Sequence, residues 1–221
     1  GYTDLMLNDA EWQAEVGDNR SALVNRPNHI KLAQVHGRAD VTVVPTITSM
    51  LDALLGEPFD LTVFDFTQYE GSEVEHDFNF EIPEDFVNRF DVVIDFGTCE
   101  HIFNFAQALI NIHKMLKLDG RVYHCGPLCW PNHGFYGYNP TLFADFYEDN
   151  GYEIEDMILS TFAVVNGQRD MVAFDGIPKY DRFSLTQAFQ GNPDLLRLEY
   201  NLSVVAHKTQ VLDKVIYPIP V

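Results

Sequence analysis

The sequence contains few basic residues. Fourteen Lys and Arg stand against thirty-three Asp and Glu, which gives a formal net charge of −19 at pH 7. A surface of this charge repels phosphate backbones and anionic lipid, so we expect neither a nucleic-acid nor a membrane partner. The acidic excess is typical of a solubilising surface, and a site for cationic substrates is the alternative interpretation.

Cysteine is also scarce. The three cysteines, Cys99, Cys125 and Cys129, are too few for a disulfide framework and predict a reducing, cytoplasmic compartment. His124 and His133 lie near the second and third of them, which raises the question of a zinc site. Their spacing is not that of a CxxC motif and no second cluster completes four ligands, so no metal is expected.

Long hydrophobic runs are absent. No apolar stretch approaches the ~20 residues that span a bilayer, and the first residues lack the basic and apolar regions of a signal peptide. Hydrophobic residues nevertheless make up 46% of the 221 residues, which is enough for a folded core. We therefore expect one domain over residues 1–221, with a helical N-terminal extension over 1–28.

Strand-like and helix-like segments alternate along the chain. The predicted strands are 29–35, 60–66, 90–97, 121–127, 152–159 and 196–208, and the predicted helices are 46–55, 106–120 and 139–151. The continuous apolar run from Val92 to Ile94 predicts a strand covered on both faces. Asn139 and Pro140 form a typical helix start, and Gly151 a typical stop.

This alternation predicts an α/β fold with right-handed crossovers, a mostly parallel sheet and helices on both faces. In such sheets, ligands bind at the carboxyl ends of the strands. The loops after residues 35, 65, 95 and 126 are therefore the expected site.

Five sequence blocks, in order and at compatible spacings, resemble the class I S-adenosylmethionine (SAM)-dependent methyltransferases, in particular a bacterial and viral subgroup. They are TQYEG (67–71), HDFNFEIP (76–83), FDVVIDFGTCEHIFN (90–104), MLKLDG (115–120) and HGFYGYNPTLF (133–143). The resemblance extends from about Phe59 to Tyr152, a little under half of the chain. The resemblance implies a Rossmann-like methyltransferase fold with seven strands, and SAM as the cofactor.

The resemblance also implies a cofactor role for three groups of residues. These are Asp65 with Phe66, Asp77 with Phe78, and Asp95 with Phe96 and Gly97. The first acid would accept hydrogen bonds from ribose hydroxyls, the second from the adenine amine beside a stacking ring, and the third group would lie beneath the methionine moiety. A solvated carboxylate at Asp65 and an ordinary core ring at Phe78 are the alternatives.

The sequence departs from the family at the first loop. A glycine-rich turn is expected there, but KLAQVHGRADV (31–41) contains Gly37 alone. Gly37 and Arg38 are the candidates for this loop. The lack of a GxGxxG motif also argues against a nicotinamide-dependent oxidoreductase.

Two histidine-bearing loops supply the catalytic candidates, His101 after the strand 90–97 and His133 with Tyr136 after the strand 121–127. An imidazole suits a general base that removes the proton from an acceptor hydroxyl. The alternatives are that His101 caps a helix, that His133 holds a turn, and that Tyr136 belongs to an aromatic lid.

We expect methyl transfer to the oxygen or nitrogen of a small molecule or saccharide. The alternative is a methyltransferase-like binding or scaffold protein that has lost the cofactor. Monomer and homodimer both stay open.

Overall fold

The computed structural model of the chain describes residues 59–68, 72–165, 168–173 and 199–219. It divides into two units, residues 1–77 and 78–221, which we describe separately. The predicted extension over 1–28, the strand 29–35 and the helix 46–55 lie outside the described residues. The single domain over 1–221 stays a prediction.

In the first unit, two short strands pair in parallel. Strand β1 covers Phe64–Asp65 and β2 covers Val74–Glu75, with Phe64 opposite Val74. The observed strand is therefore shorter than the one predicted over 60–66, since it contains only Phe64 and Asp65.

The second unit contains a five-stranded sheet in the order β3-β4-β7-β5-β6. Its strands are β3 (Phe90–Phe96), β4 (Leu116–Pro127), β5 (Tyr152–Val165), β6 (Gln168–Ala173) and β7 (Tyr200–Lys208). Strands β3 and β4 are parallel, whereas β7 runs antiparallel to both β4 and β5, and β6 antiparallel to β5. Consequently β3, β4 and β5 all point the same way.

The α/β class is thus confirmed, as is the parallel pairing of the strands predicted at 90–97 and 121–127. A seven-stranded, mostly parallel sheet is not confirmed by the described residues. Two features account for the antiparallel pairings within them: β7 inserts between β4 and β5, and β5 and β6 are consecutive strands.

Helix α1 covers Phe105–Met115 and α2 covers Pro140–Asp149, and 3-10 turns occupy Glu84–Phe86 and Cys99–His101. Asn104, rather than His101, caps α1, because its side chain accepts a hydrogen bond from the Gln107 amide. The prediction of a helix continuing to Gly120 was wrong.

Tertiary contacts explain the early end of α1. The amides of Asn88 and Arg89 donate to the carbonyls of Lys114 and Met115 at 2.7 and 3.0 Å. Leu116, fully buried, pairs with Phe90 at the start of β4. These bonds satisfy the last carbonyls that a further helical turn would have used.

Helix α2 follows the sequence pattern closely. The Asn139 side chain accepts from the Thr141 amide at 2.9 Å, and Pro140 occupies the first turn, where its missing N–H costs nothing. Gly151 has φ +81, the left-handed conformation that commonly follows a helix end.

The apolar core of the second unit comprises residues from both helices and from strands β4, β5 and β7. Its fully buried members include Ala108, Val122, Phe143, Leu202, Val204 and Ala206. Strand β3 differs from expectation: Val92 and Ile94 are 48% and 38% exposed. This strand is therefore not buried on both faces, and it lies at one edge of the described five-stranded sheet. Among the described helices, none has the length and apolar character needed to cross a membrane.

Candidate functional site

Two loops leave the same edge of the sheet, because β3 and β4 are parallel and in register, with Phe96 opposite Cys125. The loop after β3 carries His101, and the loop after β4 carries His133. This is the edge where an α/β sheet binds its ligands. The structure therefore brings the two predicted catalytic loops together.

A buried hydrogen-bond network lies below these loops. Asp95, at the end of β3, accepts from His124 Nδ1 at 2.7 Å and from the Tyr138 hydroxyl at 2.5 Å. Since an ionised carboxylate can only accept, the His124 Nδ1 donates; the Nε2 of the same ring lies 2.6 Å from the Tyr147 hydroxyl, within hydrogen-bond distance. All four side chains are nearly inaccessible to solvent.

The network keeps its carboxylate ionised and its hydroxyls protonated. Burial by itself raises the pKa of the Asp95 carboxyl, but the hydrogen bonds from His124 and Tyr138 outweigh it, so the pKa lies below its ordinary value. Burial, reinforced by the Asp95 charge, raises the pKa of Tyr138 and of the Cys99 thiol. Cys99 is consequently an inert core thiol.

Asp95 also fixes the start of the upper loop. Its Oδ1 accepts from the amides of Thr98 and Cys99 at 3.1 and 3.2 Å. Gly97 has φ +78, a conformation that other residues rarely adopt, and it turns the chain from β3 into the 3-10 turn Cys99–His101. Glu100, in the middle of that turn, is 0% exposed.

Glu100 lies beneath both predicted histidines. Its Oε1 is 3.5 Å from His133 Nε2 and 3.8 Å from His101 Nε2, and the two imidazole rings lie edge to face at 5.1 Å between centroids. Among the described residues, neither carboxylate oxygen of Glu100 has a hydrogen-bond partner. Both histidine side chains are partly exposed, at 52% and 40%.

The second loop closes directly onto Glu100. Gly134 has φ +65, and a Cβ there would lie 2.8 Å from both Cγ and the carbonyl oxygen of Glu100. The Phe135 amide donates to that carbonyl at 2.7 Å. Asn132, with φ +66, gives the loop a second left-handed residue. A bulkier residue at position 134 is therefore incompatible with this approach.

An open cavity of about 310 Å³ lies beside His133, in the segment that follows β4. Its walls include His133, Leu128 and Trp130, whose ring lies 5.4 Å from that of His133. Tyr136, the third predicted catalytic residue, donates its hydroxyl to the Phe103 carbonyl at 2.8 Å and packs against Phe105. Its described contacts join the two loops to each other.

The predicted cofactor residues are distributed over both units. Asp65 ends β1 and accepts from the Thr67 amide at 3.0 Å, Phe66 is 68% exposed and Asp77 is half-buried. These three lie in the first unit. Phe78, in the second, packs against the apolar core.

Of the remaining candidates, Phe96 is 41% exposed beside the exposed Gly97, and the buried Asp95 belongs to the network described above. Gly37 and Arg38 lie outside the described residues.

Sequence reasoning missed the residues that depend on distant contacts. The sequence patterns assign no role to Glu100 and do not predict the His124–Tyr138–Tyr147 network. An acid directly before His101 is the one local signal that could have drawn attention to Glu100. The motifs offer no comparable signal for the network, whose members are 23 to 43 residues apart.

No protein-family model and no curated protein matches the chain. Among solved structures, it is similar to a proposed methyltransferase from Bacillus halodurans, with 12% identity and a TM-score of 0.48 over 73% of this chain and 87% of that one. It is also similar to a SAM-dependent methyltransferase from Archaeoglobus fulgidus, with 13% identity and a TM-score of 0.45 over 73% and 81%. With TM-scores below 0.5, these similarities assign neither family nor activity to this chain.

Proposed function

We propose that the chain is a SAM-dependent methyltransferase that methylates an oxygen or nitrogen atom of a small molecule or saccharide. The observation that carries this proposal is the carboxyl edge of β3 and β4. There the block resembling the family, FDVVIDFGTCEHIFN, turns through the left-handed Gly97 and meets the loop of His133. An α/β sheet edge of this kind is the usual place for such a cofactor.

The described residues fit the cofactor at Gly97. Its exposed backbone has no side chain to keep a ligand away, which suits close approach to the methionine moiety. Phe96, on the same strand end, offers an exposed ring. We assign Asp65 with Phe66 to the ribose, Asp77 with Phe78 to the adenine, and Gly37 with Arg38 to the first loop, as the sequence resemblance implies.

Asp95 receives a different role in this proposal. Its two oxygens already accept four hydrogen bonds from within the protein, so it has little capacity left for a ligand. We assign it to positioning the loop from Gly97 to His101.

When bound, SAM supplies an electrophilic methyl group carried on a sulfonium. The chain contributes alignment of the acceptor and, for a hydroxyl acceptor, removal of its proton. His133 and His101 are the candidates for that base, because both imidazoles are partly exposed at the loop edge. Tyr136 holds the two loops together through the Phe103 carbonyl.

The alternative is a methyltransferase-like binding protein without the cofactor. Two observations favour this alternative: the Asp95 carboxylate already accepts hydrogen bonds from within the protein, and the segment 31–41 contains a single glycine. This protein would bind a ligand or partner without transferring a methyl group.

Calorimetric titration of the full chain with SAM and S-adenosylhomocysteine distinguishes the two. Binding of both supports the methyltransferase, and no binding of either supports the alternative. With an acceptor in hand, His133→Gln should lower turnover by ~100- to 10,000-fold while leaving S-adenosylhomocysteine affinity nearly unchanged. Full turnover in both His133→Gln and His101→Gln would exclude an imidazole base.

A further inference from the structure

The Glu100 carboxylate is buried without a hydrogen bond from the described residues. The residue is 0% exposed, and neither carboxylate oxygen has a hydrogen-bond partner among them. A charged group removed from water in this way is strongly disfavoured unless it is paired or coordinates a cation. The carboxylate is therefore a binding group whose counterpart is not supplied at hydrogen-bond distance by the described part of the protein.

Two imidazoles present ring nitrogens to the same point. The Nε2 atoms of His133 and His101 lie 3.5 and 3.8 Å from Glu100 Oε1, beyond the range of a good hydrogen bond. One donor atom from each of the three side chains lies within 4.8 Å of the others. A carboxylate and two imidazoles are common ligands of divalent transition metals.

The spacing is close to that of a metal site. Metal–ligand bonds of about 2.0–2.2 Å place neighbouring tetrahedral ligands about 3.4 Å apart. The observed distances from Glu100 to the two imidazoles are slightly longer. Rotation of the partly exposed histidine side chains closes this gap without moving the buried carboxylate.

A second group of possible ligands, Asp95, Cys99 and His124, has no free ligand atoms exposed to solvent. The carboxylate and both ring nitrogens already form short hydrogen bonds within the buried network. The three donor atoms are also fully enclosed by protein. Of the two groups found among the described residues, the group of Glu100, His101 and His133 is the one that combines a buried carboxylate lacking hydrogen bonds with ligands accessible from solvent.

We infer that Glu100, His101 and His133 bind a divalent transition metal, since two imidazole nitrogens and one carboxylate oxygen form known zinc sites; zinc is the metal tested, and cobalt(II) serves as its spectroscopic probe. Three protein ligands leave at least one coordination position for an exogenous group, as in catalytic rather than structural metal sites. Glycine at position 97 keeps the approach open, since a Cβ there would lie 3.3 Å from Glu100 Oε1. In a consequence that rests on the proposed function, the metal would hold an acceptor hydroxyl at the open position and lower its pKa, so that the hydroxyl would lose its proton to solvent water rather than to a free imidazole.

The test is calorimetric titration of the chelator-treated full chain with zinc chloride, followed by the absorption spectrum with cobalt(II). We expect one metal per chain. Affinity should fall by more than about tenfold in His101→Gln and in His133→Gln, since even loss of an outer-shell partner has that effect. His207→Gln is the matched control: this histidine lies 3.6 Å from Glu155, whose carboxylate is already paired with Arg121, and its removal should leave affinity unchanged.

Thermal unfolding provides a second measurement that does not depend on the calorimetric affinity. Zinc should raise the melting temperature of the wild type, because it binds the folded state, and should not raise that of Glu100→Gln. Absence of zinc binding in the wild type, or equal binding in the histidine variants, overturns the inference. S-adenosylhomocysteine binding to the wild type is measured separately. Metal binding without S-adenosylhomocysteine binding overturns only the proposed function. S-adenosylhomocysteine binding without metal binding overturns only the metal site.

Discussion

His113 provides a sharp test of how burial controls protonation in this fold. It lies in the last turn of α1, is 7% exposed, and its Nδ1 is 3.1 Å from the Tyr152 hydroxyl. Burial lowers its pKa from 6.5 to about 4, and the charges of Lys208 and Lys114 act in the same direction. The folded protein therefore keeps this imidazole neutral under conditions where the unfolded chain protonates it.

The sign follows from proton uptake. Below pH 6.5 the unfolded state binds a proton that the folded state refuses, so the stabilisation present above that pH is lost as the pH falls to about 4. Between pH 7.5 and 4.5, these two pKa values correspond to a loss on the order of 2–3 kcal/mol of unfolding free energy. Urea denaturation at half-unit pH steps measures this loss.

Two variants separate the titration from the packing. His113→Gln retains a polar side chain but no ionisable group, so the difference in unfolding free energy between wild type and variant should shrink by roughly 2–3 kcal/mol from pH 7.5 to 4.5. Tyr152→Phe removes only the partner hydroxyl and should cost about 1 kcal/mol at either pH while the pH-dependent loss persists. If the stability of His113→Gln and of the wild type fell in parallel with pH, the assignment of this titration to His113 would be refuted.

Three further substitutions probe other parts of the site by urea or thermal unfolding. Gly134→Ala places a Cβ 2.8 Å from Glu100 at φ +65 and should cost about 2 kcal/mol or more, and a loss below about 0.5 kcal/mol would contradict the described loop contact. Tyr138→Phe removes one charge-assisted hydrogen bond to Asp95 and should cost about 1.5–3 kcal/mol, whereas an unchanged stability would mean that the hydroxyl is not part of the network. Arg121→Ala breaks the ion pair with Glu155, in which both side chains are about one-third exposed, and should lower stability only slightly in low salt and not measurably in high salt; a large loss that persists in high salt would mean that solvent does not screen the pair.

Local signals predicted the elements whose ends are set by their own residues. Helix α2 begins and ends as Asn139, Pro140 and Gly151 indicate, because capping is a contact between close neighbours in the chain. The parallel pairing of β3 and β4 followed from strand–helix alternation. The end of α1 could not be predicted in this way, since its last carbonyls are bonded by Asn88, Arg89 and a lysine 95 residues away.

His113 and Lys208 show the same limit. A histidine beside Lys114 reads as a surface residue on sequence alone, yet its imidazole is buried against Tyr152. Lys208 is 3% exposed, and its ammonium group donates to the carbonyls of His113 and Leu116 at 2.8 and 3.0 Å. Burial of a charged residue depends on the acceptors that tertiary structure brings to it, and a local pattern contains no record of them.

Two buried carboxylates lie at the edge of the site, and they differ in the hydrogen bonds they receive. Asp95 receives four hydrogen bonds, so its charge is compensated wholly within the protein. Glu100 is equally buried but receives none from the described residues. A fold that required only rigidity at this edge would gain from an apolar residue at position 100, because an unpaired buried carboxylate destabilises it. The partly exposed His101 and His133 lie around that carboxylate, and His133 also lines an open cavity. The inferred cation would compensate the buried charge, and the network of Asp95 would hold the loop in place to receive it.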